Sequence, residues 1–570
     1  MINYIAQIAV FVAIFLLLAT SLNLVLGFGG VFSIMQAVFY GVGAYTAADL
    51  IVFVHAPFPL DLLGALVVAM ALGALVAGLL MRIAGELVII ATLALQLVFS
   101  TIFRNWTAVT GGSYGIFGIG RPAVFGYPLT SLPAFACMAA LVAAAAFAAA
   151  LLIARSPFGL AVRAQREDAV LAGALGHDVV RERATVFVIG AGLAGLAGAL
   201  YAQFVGYVDP SGFDVNQSLS IITIVVVGGL GNLWGTLGAA IILTFLPQLL
   251  ILLPATSSAA AQFQLLLYGV ILVLVVRFWP SGILPEQPSV RLMPRRGTRS
   301  ADVVQAGSAP ELVDRIAGIT VAGMQTAAPV VRLDGVSKSF GGLRAVDDVS
   351  FAIEPGRVTA LIGPNGAGKT TLFNLICGLL RPDGGHVFFG TQETTHSQPF
   401  EIARLGVTRT FQDVRIFPRL TALENVVFAL SKMSGGATPL TERAGAVLVN
   451  VGLQAHADRL AGSLSYAEQK ILMMGLVLSR EDPVVFLDEI AAGLDQGSVR
   501  ALAGLVRRIA ASGRAVCVVE HTLSFVWDVA DIVYVLDAGR VIAGGVPADI
   551  QADAKVVEIY FGQSGAHGHA

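Results

Sequence analysis

The stretch Gly363-Pro-Asn-Gly-Ala-Gly-Lys-Thr-Thr371 decides how the rest of this 570-residue sequence is read. It follows the apolar run Val358-Thr-Ala-Leu-Ile362, which reads as a buried strand, and precedes Leu372-Phe-Asn-Leu-Ile376, which reads as a helix. Strand, glycine-rich loop and helix, in that order, form the setting a phosphate-binding loop requires. Gly363, Pro364, Asn365, Gly366, Ala367 and Gly368 let the backbone turn so that several N–H groups point at one place. The helix that follows adds the positive end of its dipole to the same place. Lys369 then reaches the β- and γ-phosphates of ATP, Thr370 offers a hydroxyl to Mg²⁺, and Thr371 completes the motif. A glycine turn with a chance lysine would not fill every position.

Working outward, a chain of this length exceeds one core, so several domains are expected. It is 56% hydrophobic and 13% charged, with a mean hydropathy of +0.80, more apolar surface than a soluble protein needs. Long charge-free runs lie before about residue 285, and ordinary soluble patterning follows about residue 329. The expected fold class is therefore multidomain: an all-α polytopic membrane domain over 1–285, a linker over 286–328, and an α/β phosphate-loop domain over 329–570. The net charge of −2 argues against nucleic acid as a partner. Cys137, Cys377 and Cys517 stand far apart with no metal-ligand spacing and read as core or membrane-buried thiols. Met1-Ile-Asn-Tyr lacks a basic leader, so the first apolar run is expected to be a retained membrane helix.

Apolar segments long enough to cross a bilayer lie near 5–26, 31–54, 62–81, 86–103, 133–154, 185–206, 235–253 and 262–279. A shorter one, 217–230, ends in Gly228-Gly-Leu-Gly231 and reads either as a broken helix or as an ordinary short one. Arg155, Arg163, Arg166, Arg181 and Arg183 crowd one loop, and Arg291, Arg295, Arg296 and Arg299 follow the last segment. Both regions should face the cytoplasm, which places 105–132 outside and requires 217–230 to cross. Small residues at Gly190, Ala194 and Gly198 form a face for close helix packing. The loop from Ser156 to Gly176 mixes charges with small apolar residues at helical spacing; it reads as a helix at the headgroups or one docking on a cytoplasmic partner, and an ATPase on the same chain favours docking.

Ser21-Leu-Asn-Leu-Val-Leu-Gly27, Gly41-Val-Gly-Ala-Tyr45, Leu160-Ala-Val-Arg-Ala-Gln-Arg-Glu-Asp168, Gly195-Leu-Ala-Gly-Ala-Leu-Tyr201 and Gly228-Gly-Leu-Gly-Asn-Leu-Trp-Gly235 stand in series. In these motifs the front half resembles the LivM-type permease of branched-chain amino-acid ABC importers. The motifs leave the solute open: branched-chain amino acids are the best-known cargo, and similar permeases take urea, short amides and aromatic acids. Asn23, Gln36, Tyr45 and Gln96 are uncharged polar groups within apolar segments, either lining a path or bonding helix to helix.

Residues 286–328 hold Pro, Arg, Gly, Ser and Ala without sustained pattern and read as a tether of modest order, with a short helix conceivable over Val303–Ala317. From 329 the chain resembles the LivG-type ABC ATPase, which makes the second domain an α/β ABC ATPase domain. The resemblance implies that Phe340 stacks on adenine, with a core phenylalanine as the other reading. It implies that Gln412, in Arg409-Thr-Phe-Gln-Asp-Val-Arg-Ile-Phe-Pro418, senses Mg²⁺ and contacts the permease helix. Ser465, in Leu464-Ser-Tyr-Ala-Glu-Gln-Lys470, would meet the γ-phosphate held by an opposite ATPase. Ala467 stands where the family has glycine; its methyl would crowd the phosphate unless the backbone there is helical. Val484-Val-Phe-Leu-Asp-Glu489 resembles a strand ending in a Mg²⁺-holding Asp488 and a general base Glu489, and His521 resembles the switch histidine. Ala492-Gly-Leu-Asp495 matches the D-loop in part. Ile532 to Gly545 reads as a hairpin turning at Asp537-Ala-Gly539, and the tail with His567 and His569 as disordered.

One phosphate loop and one signature per chain imply pairing. The resemblance points to a second permease and a second ATPase (LivH-like and LivF-like), or a second copy, with a periplasmic solute-binding protein. It implies ATP-driven import across a bacterial inner membrane with the ATPase domain cytoplasmic. An ATP-driven exporter and an ATPase-inactive scaffold, the latter suggested by Ala467, are the other classes considered.

Overall fold

A computed structural model describes residues 2–83, 85–124, 127–250, 257–288, 309–321, 330–432 and 438–561. The chain divides into two compact units. The first holds residues up to Arg166 together with Val179–Ser289; the second holds Glu167–Asp178 and the residues from Val290 onward.

The first unit is helical. Its elements are α1 (Ile2–Leu22), α2 (Gln36–Val52), α3 (Leu60–Leu80), α4 (Gly85–Asn105), α5 (Leu132–Arg155), α6 (Pro157–Glu167, whose last residue falls in the second unit), α8 (Val179–Val205), α9 (Val215–Gly228), α10 (Leu233–Leu250) and α11 (Ser257–Phe278). Among the described residues, five helices are long and apolar enough to cross a membrane: Ile2–Phe28, Leu60–Leu80, Leu87–Asn105, Leu132–Arg155 and Val179–Val205. The segment expected over 31–54 is shorter than its hydropathy suggested. The first helix runs into a π-helical turn, Asn23–Phe28, and helix resumes only at Gln36. Hydropathy does not register this break because its residues are as apolar as their neighbours.

The small face of α8 brings backbones into contact: a Cβ on Gly198 would lie 2.0 Å from Tyr40 O, and one on Gly195 would lie 2.5 Å from the Ala69 Cβ. Ile116–Phe117 pairs antiparallel with Tyr207–Val208, with Phe117 stacked on Tyr207 at 4.3 Å. Cys137 is exposed on α5, and Cys377 and Cys517 are buried.

The second unit is built on two sheets. Its strands are β1 (Val331–Phe340), β2 (Leu343–Ile353), β3 (Val358–Ile362), β4 (Gly384–Phe389), β5 (Gln392–Glu393), β6 (Val407–Arg409), β7 (Val484–Asp488), β8 (Ala515–Val519), β9 (Ile532–Asp537) and β10 (Arg540–Gly545). The larger sheet runs β6-β7-β8-β3-β9-β10, parallel up to β9 and antiparallel at the β9–β10 hairpin. The smaller is antiparallel and runs β2-β1-β4-β5. Strands β3, β7 and β8 are buried along their whole length, as their unbroken β-branched and aliphatic runs require of strands covered on both faces.

Two stretches assigned by sequence to other parts of the chain belong to this unit. One is α7 (Ala169–Ala174) with its flanks. The other is α12 (Ala309–Gly318), within the expected tether. Ile316 and Ile319 are buried, Arg508 donates to the carbonyls of Ile316, Ala317 and Ile319 at 3.3–3.4 Å, and Thr320 and Asn450 exchange two hydrogen bonds. Residues 309–321 are thus a packed element, because their apolar face at helical spacing finds a surface to cover. Residues 303–308, 322–329 and the tail bearing His567 and His569 lie outside the described residues.

Candidate nucleotide site

Parallel neighbours put the carboxyl ends of β3, β7 and β8 side by side, which is where open α/β sheets present their functional loops. Asp488 at the end of β7 is in register with Val519 at the end of β8, and Val519 is in register with Leu361 of β3. The phosphate loop, Asp488-Glu489 and Glu520-His521 therefore leave the sheet together.

The loop runs from Gly363 to Gly368, with φ of 85° at Gly366 and 99° at Gly368. A Cβ on Gly368 would lie 2.1 Å from Ala345 O, so only glycine fits. Lys369 opens helix α13 (Lys369–Ile376), and its ammonium donates to Gly363 O at 2.6 Å and Pro364 O at 3.0 Å. Burial lowers its pKa, and the carboxylates of Glu489 and Asp488 pull it back up. Thr370 is exposed and Thr371 half-buried; Pro364 is half-buried, Asn365 is exposed and Ala367 is buried.

Asp488 is 3% exposed, and burial pushes its carboxyl up to about 6, with Glu489 and Glu520 adding to the rise and Arg409 opposing it. Glu489 holds a φ of 45°, anchored by its N–H on Val519 O at 2.9 Å. Its Oε2 accepts from Gln412 Nε2 at 2.9 Å and lies 3.8 Å from His521 Nδ1. Gln412, Glu489 and His521, far apart in sequence, thus meet at one carboxylate oxygen.

Ser465 caps helix α15 (Tyr466–Ser479) in a capping box with Glu468. Ala467 sits in the first turn of that helix and has no positive φ. The helical alternative foreseen for this position is the one found. Asp495 caps α16 (Gln496–Ala511) by accepting from Gly497 and Ser498. Phe340, at the end of β1, is 47% exposed, with the Lys338 ammonium 5.7 Å from its ring. It is not a core residue.

Two residues went unremarked in the sequence. Arg409 is buried between Phe373 and Phe411, donates to Asn374 at 3.0 Å and stands 3.6 Å from Asp488. Glu520 is fully buried, accepts from Ala491 N at 2.8 Å, and is raised by burial. A charged residue at each end of an otherwise apolar strand was the available signal.

Beside Gln412 the second unit grips residues 167–178. Arg415 donates to both Asp168 oxygens at 3.1 and 2.9 Å, while Asp168 caps α7 through Leu171 N. Arg419 N donates to Glu167, Arg480 to Leu175 O at 2.6 Å, and Arg404 to Gly176 O at 3.0 Å. His177 stacks on Phe428 at 4.0 Å. The polar residues proposed for a path in the first unit are largely tied down: Asn23 to the 229–236 turn, Gln36 to Ser21, and Gln96 to Phe213 O at 2.9 Å. Tyr45 has no partner for its hydroxyl among the described residues.

Comparison with known proteins places both halves. The family described as branched-chain amino acid transport system / permease component matches residues 4–276, and the ABC transporter family matches 346–492. The high-affinity branched-chain amino acid transport ATP-binding protein LivG of Escherichia coli (strain K12) is 32% identical over 252 residues, spanning 41% of this chain and 99% of that protein. The probable LivG of Methanocaldococcus jannaschii is 32% identical over 259 residues, 42% of this chain and 100% of that protein. A crystal structure of a nucleotide-free ATP-binding cassette from an ABC transporter is 32% identical and covers 41% of this chain and 100% of its own, with a TM-score of 0.37. The apolar helices of the first half make this a multi-pass membrane protein, and the second half is a nucleotide-binding, nucleotide-hydrolysing cassette. The chain belongs to the branched-chain amino-acid family of ABC transporters, with permease and ATP-binding component joined in one polypeptide.

Proposed function

We propose that the chain drives import of branched-chain amino acids, or of a similar small polar solute, across a bacterial inner membrane at the expense of ATP. The observation that carries the coupling is the grip on residues 167–178 by Arg415, Arg419, Arg404 and Arg480, three residues from Gln412 at its nearest. A change at the γ-phosphate felt by Gln412 has a short route to a segment of the permease half. The family description of 4–276 and the names of the LivG relatives support the choice of solute.

Lys369 and the loop N–H groups neutralise the phosphoryl charge; Asp488 and Thr370 with Gln412 are the residues that would hold Mg²⁺, which when bound would add further positive charge there. The donor set fits a hard cation: Asp488 is a buried carboxylate with Glu489 and Glu520 acting on it, and Thr370 is an exposed hydroxyl in the first turn after the loop. Glu489 takes the proton of the attacking water, with Gln412 and His521 setting its orientation. Phe340 stacks on the base. Ser465 serves the nucleotide of a second cassette, so the chain works with a LivH-like permease and LivF-like ATPase, or with a second copy, and with a periplasmic solute-binding protein. The arginine-rich loops support a cytoplasmic ATPase domain.

Uptake of labelled leucine into proteoliposomes, with the chain purified from its own membrane together with whatever copurifies, tests this. ATP-dependent accumulation that needs an added solute-binding protein is expected. Outward movement of leucine, or none in a complex that hydrolyses ATP, sinks the proposal.

A further inference from the structure

Two membrane helices of the first unit end in turns that break the helical backbone, and these breaks meet at Asn23. The π-helical turn Asn23–Phe28 ends the first helix, and α9 ends in a turn whose Gly229 has a φ of 114°. The Asn23 amide nitrogen is 3.3 Å from Gly229 O, 3.2 Å from Asn232 O and 2.6 Å from Thr236 Oγ1, and its Oδ1 accepts from Gly231 N at 2.9 Å. The approach is close enough that a Cβ on Gly27 would lie 2.5 Å from Gly231 N. A helix end shielded from water leaves backbone groups that protein must satisfy. Here one break supplies the other.

Helix α6 holds both breaks from one residue. Arg166 donates to Gly27 O in the first break and to Glu286 Oε2 at 2.6 Å. Glu286 packs on the second break, where a Cβ on Gly231 would lie 2.9 Å from its carboxyl carbon. Arg163 stands 3.7 Å from the other Glu286 oxygen and donates to Gln287 O at 3.1 Å. The Arg166 and Glu286 side chains are 12% and 17% exposed, so the pair is little screened by salt. A guanidinium reaches two acceptors in fixed directions, which an ammonium does not. Packing of α6 alone would need neither contact.

We propose that Arg166 and Glu286 are a positioning pair that makes the two helices ending at these breaks follow α6, so that displacement of α6 reaches both. The inference rests on the reading as an ATP-driven transporter and names the residues that carry motion within its membrane half. The residue after Arg166 is Glu167, which is held in the second unit by Arg419 N. A motion of the cassette is therefore delivered one peptide bond from the pair, and a contiguous set of contacts leads onward.

Backbone hydrogen exchange on the complete complex, with and without MgATP in a Glu489→Gln background, tests the pair. ATP is expected to change exchange at 23–31 and 228–236 by about threefold or more. In Arg166→Ala that response disappears while ATP-induced protection at 363–371 remains. Arg166→Lys recovers part of it, and Glu286→Gln loses the response at 228–236 while keeping it at 23–31. A response that persists at both breaks in Arg166→Ala overturns the proposal, as does an absent response in the parent complex or loss of protection at 363–371 in the variant. Should Arg166→Ala fail to assemble, Glu286→Gln decides the matter by the same readings. Leucine uptake by the complex with its native Glu489 judges the solute separately, and its failure leaves the exchange result standing.

Discussion

The phosphate loop and the paired breaks at 23–31 and 228–236 are both built on glycine, and they differ in what they leave open. In the loop, Gly363 and Gly368 are closely packed, but Gly366 has nothing within 4 Å of where a Cβ would stand, so its backbone is open. At the breaks, a Cβ on Gly229 would lie 2.1 Å from Leu284 O, and Asn23 takes up the freed polar groups. The first arrangement leaves backbone and charge available for a ligand; the second consumes them. The surroundings agree. Asp488 and Glu520 are buried acids raised by burial, and Lys369 is lowered by it, so the nucleotide site carries a standing cost in stability. A site assembled for a ligand keeps such costs, and a structural crossing removes them.

If that contrast holds, changes at the nucleotide site should alter activity more than stability, and changes at the breaks the reverse. The largest effect is expected for Glu489→Gln. ATP turnover of the assembled complex should fall by about a hundredfold or more while ATP binding, read by equilibrium nucleotide titration, is retained. Unchanged turnover would mean that another subunit performs all the catalysis. Next comes Asn23→Ala, which strips several buried backbone groups of their partner. It should cost about 3 kcal/mol, seen as a lower melting temperature in detergent, with cassette ATP affinity intact. A melting temperature equal to the parent's would erase the distinction drawn here.

Asp488→Asn should act with the opposite sign on stability. The folded pKa of about 6 lies above the unfolded value, so ionisation costs stability as pH rises from about 4 through 6, and the cost is complete above that. The nucleotide-free variant should be more stable than the parent by about 3 kcal/mol near pH 7.5 and no different near pH 4. A destabilised variant at pH 7.5 would refute the assigned cost. The smallest effect is expected for Ile316→Asp, which should release 309–321 from the cassette at a cost of about 1.5 kcal/mol. Limited proteolysis would show it as faster cleavage within that segment, and equal cleavage in parent and variant would deny that the segment is packed.

The nucleotide site was legible because each of its residues sits in a short local pattern at the end of a strand or the start of a helix. Parallel strand order then brings Gln412, Glu489 and His521 together without further information. Ala467 marks the limit: the sequence posed the question of its backbone, and the helix geometry answered it. Arg409 and Glu520 were missed because what sets them apart is burial, which a lone charge beside an apolar run does not announce.

By itself the sequence determined that apolar helices precede an α/β cassette, and which loop and carboxylates are candidates for the nucleotide site, since period, hydropathy and local motifs are carried by neighbouring residues. Only tertiary structure decided that 167–178 and 309–321 belong to the cassette's unit, that the first helix breaks into a π-turn, and that Asn23 and Arg166 hold that break. Those outcomes depend on partners hundreds of residues away, and a backbone group finds its acceptor through space.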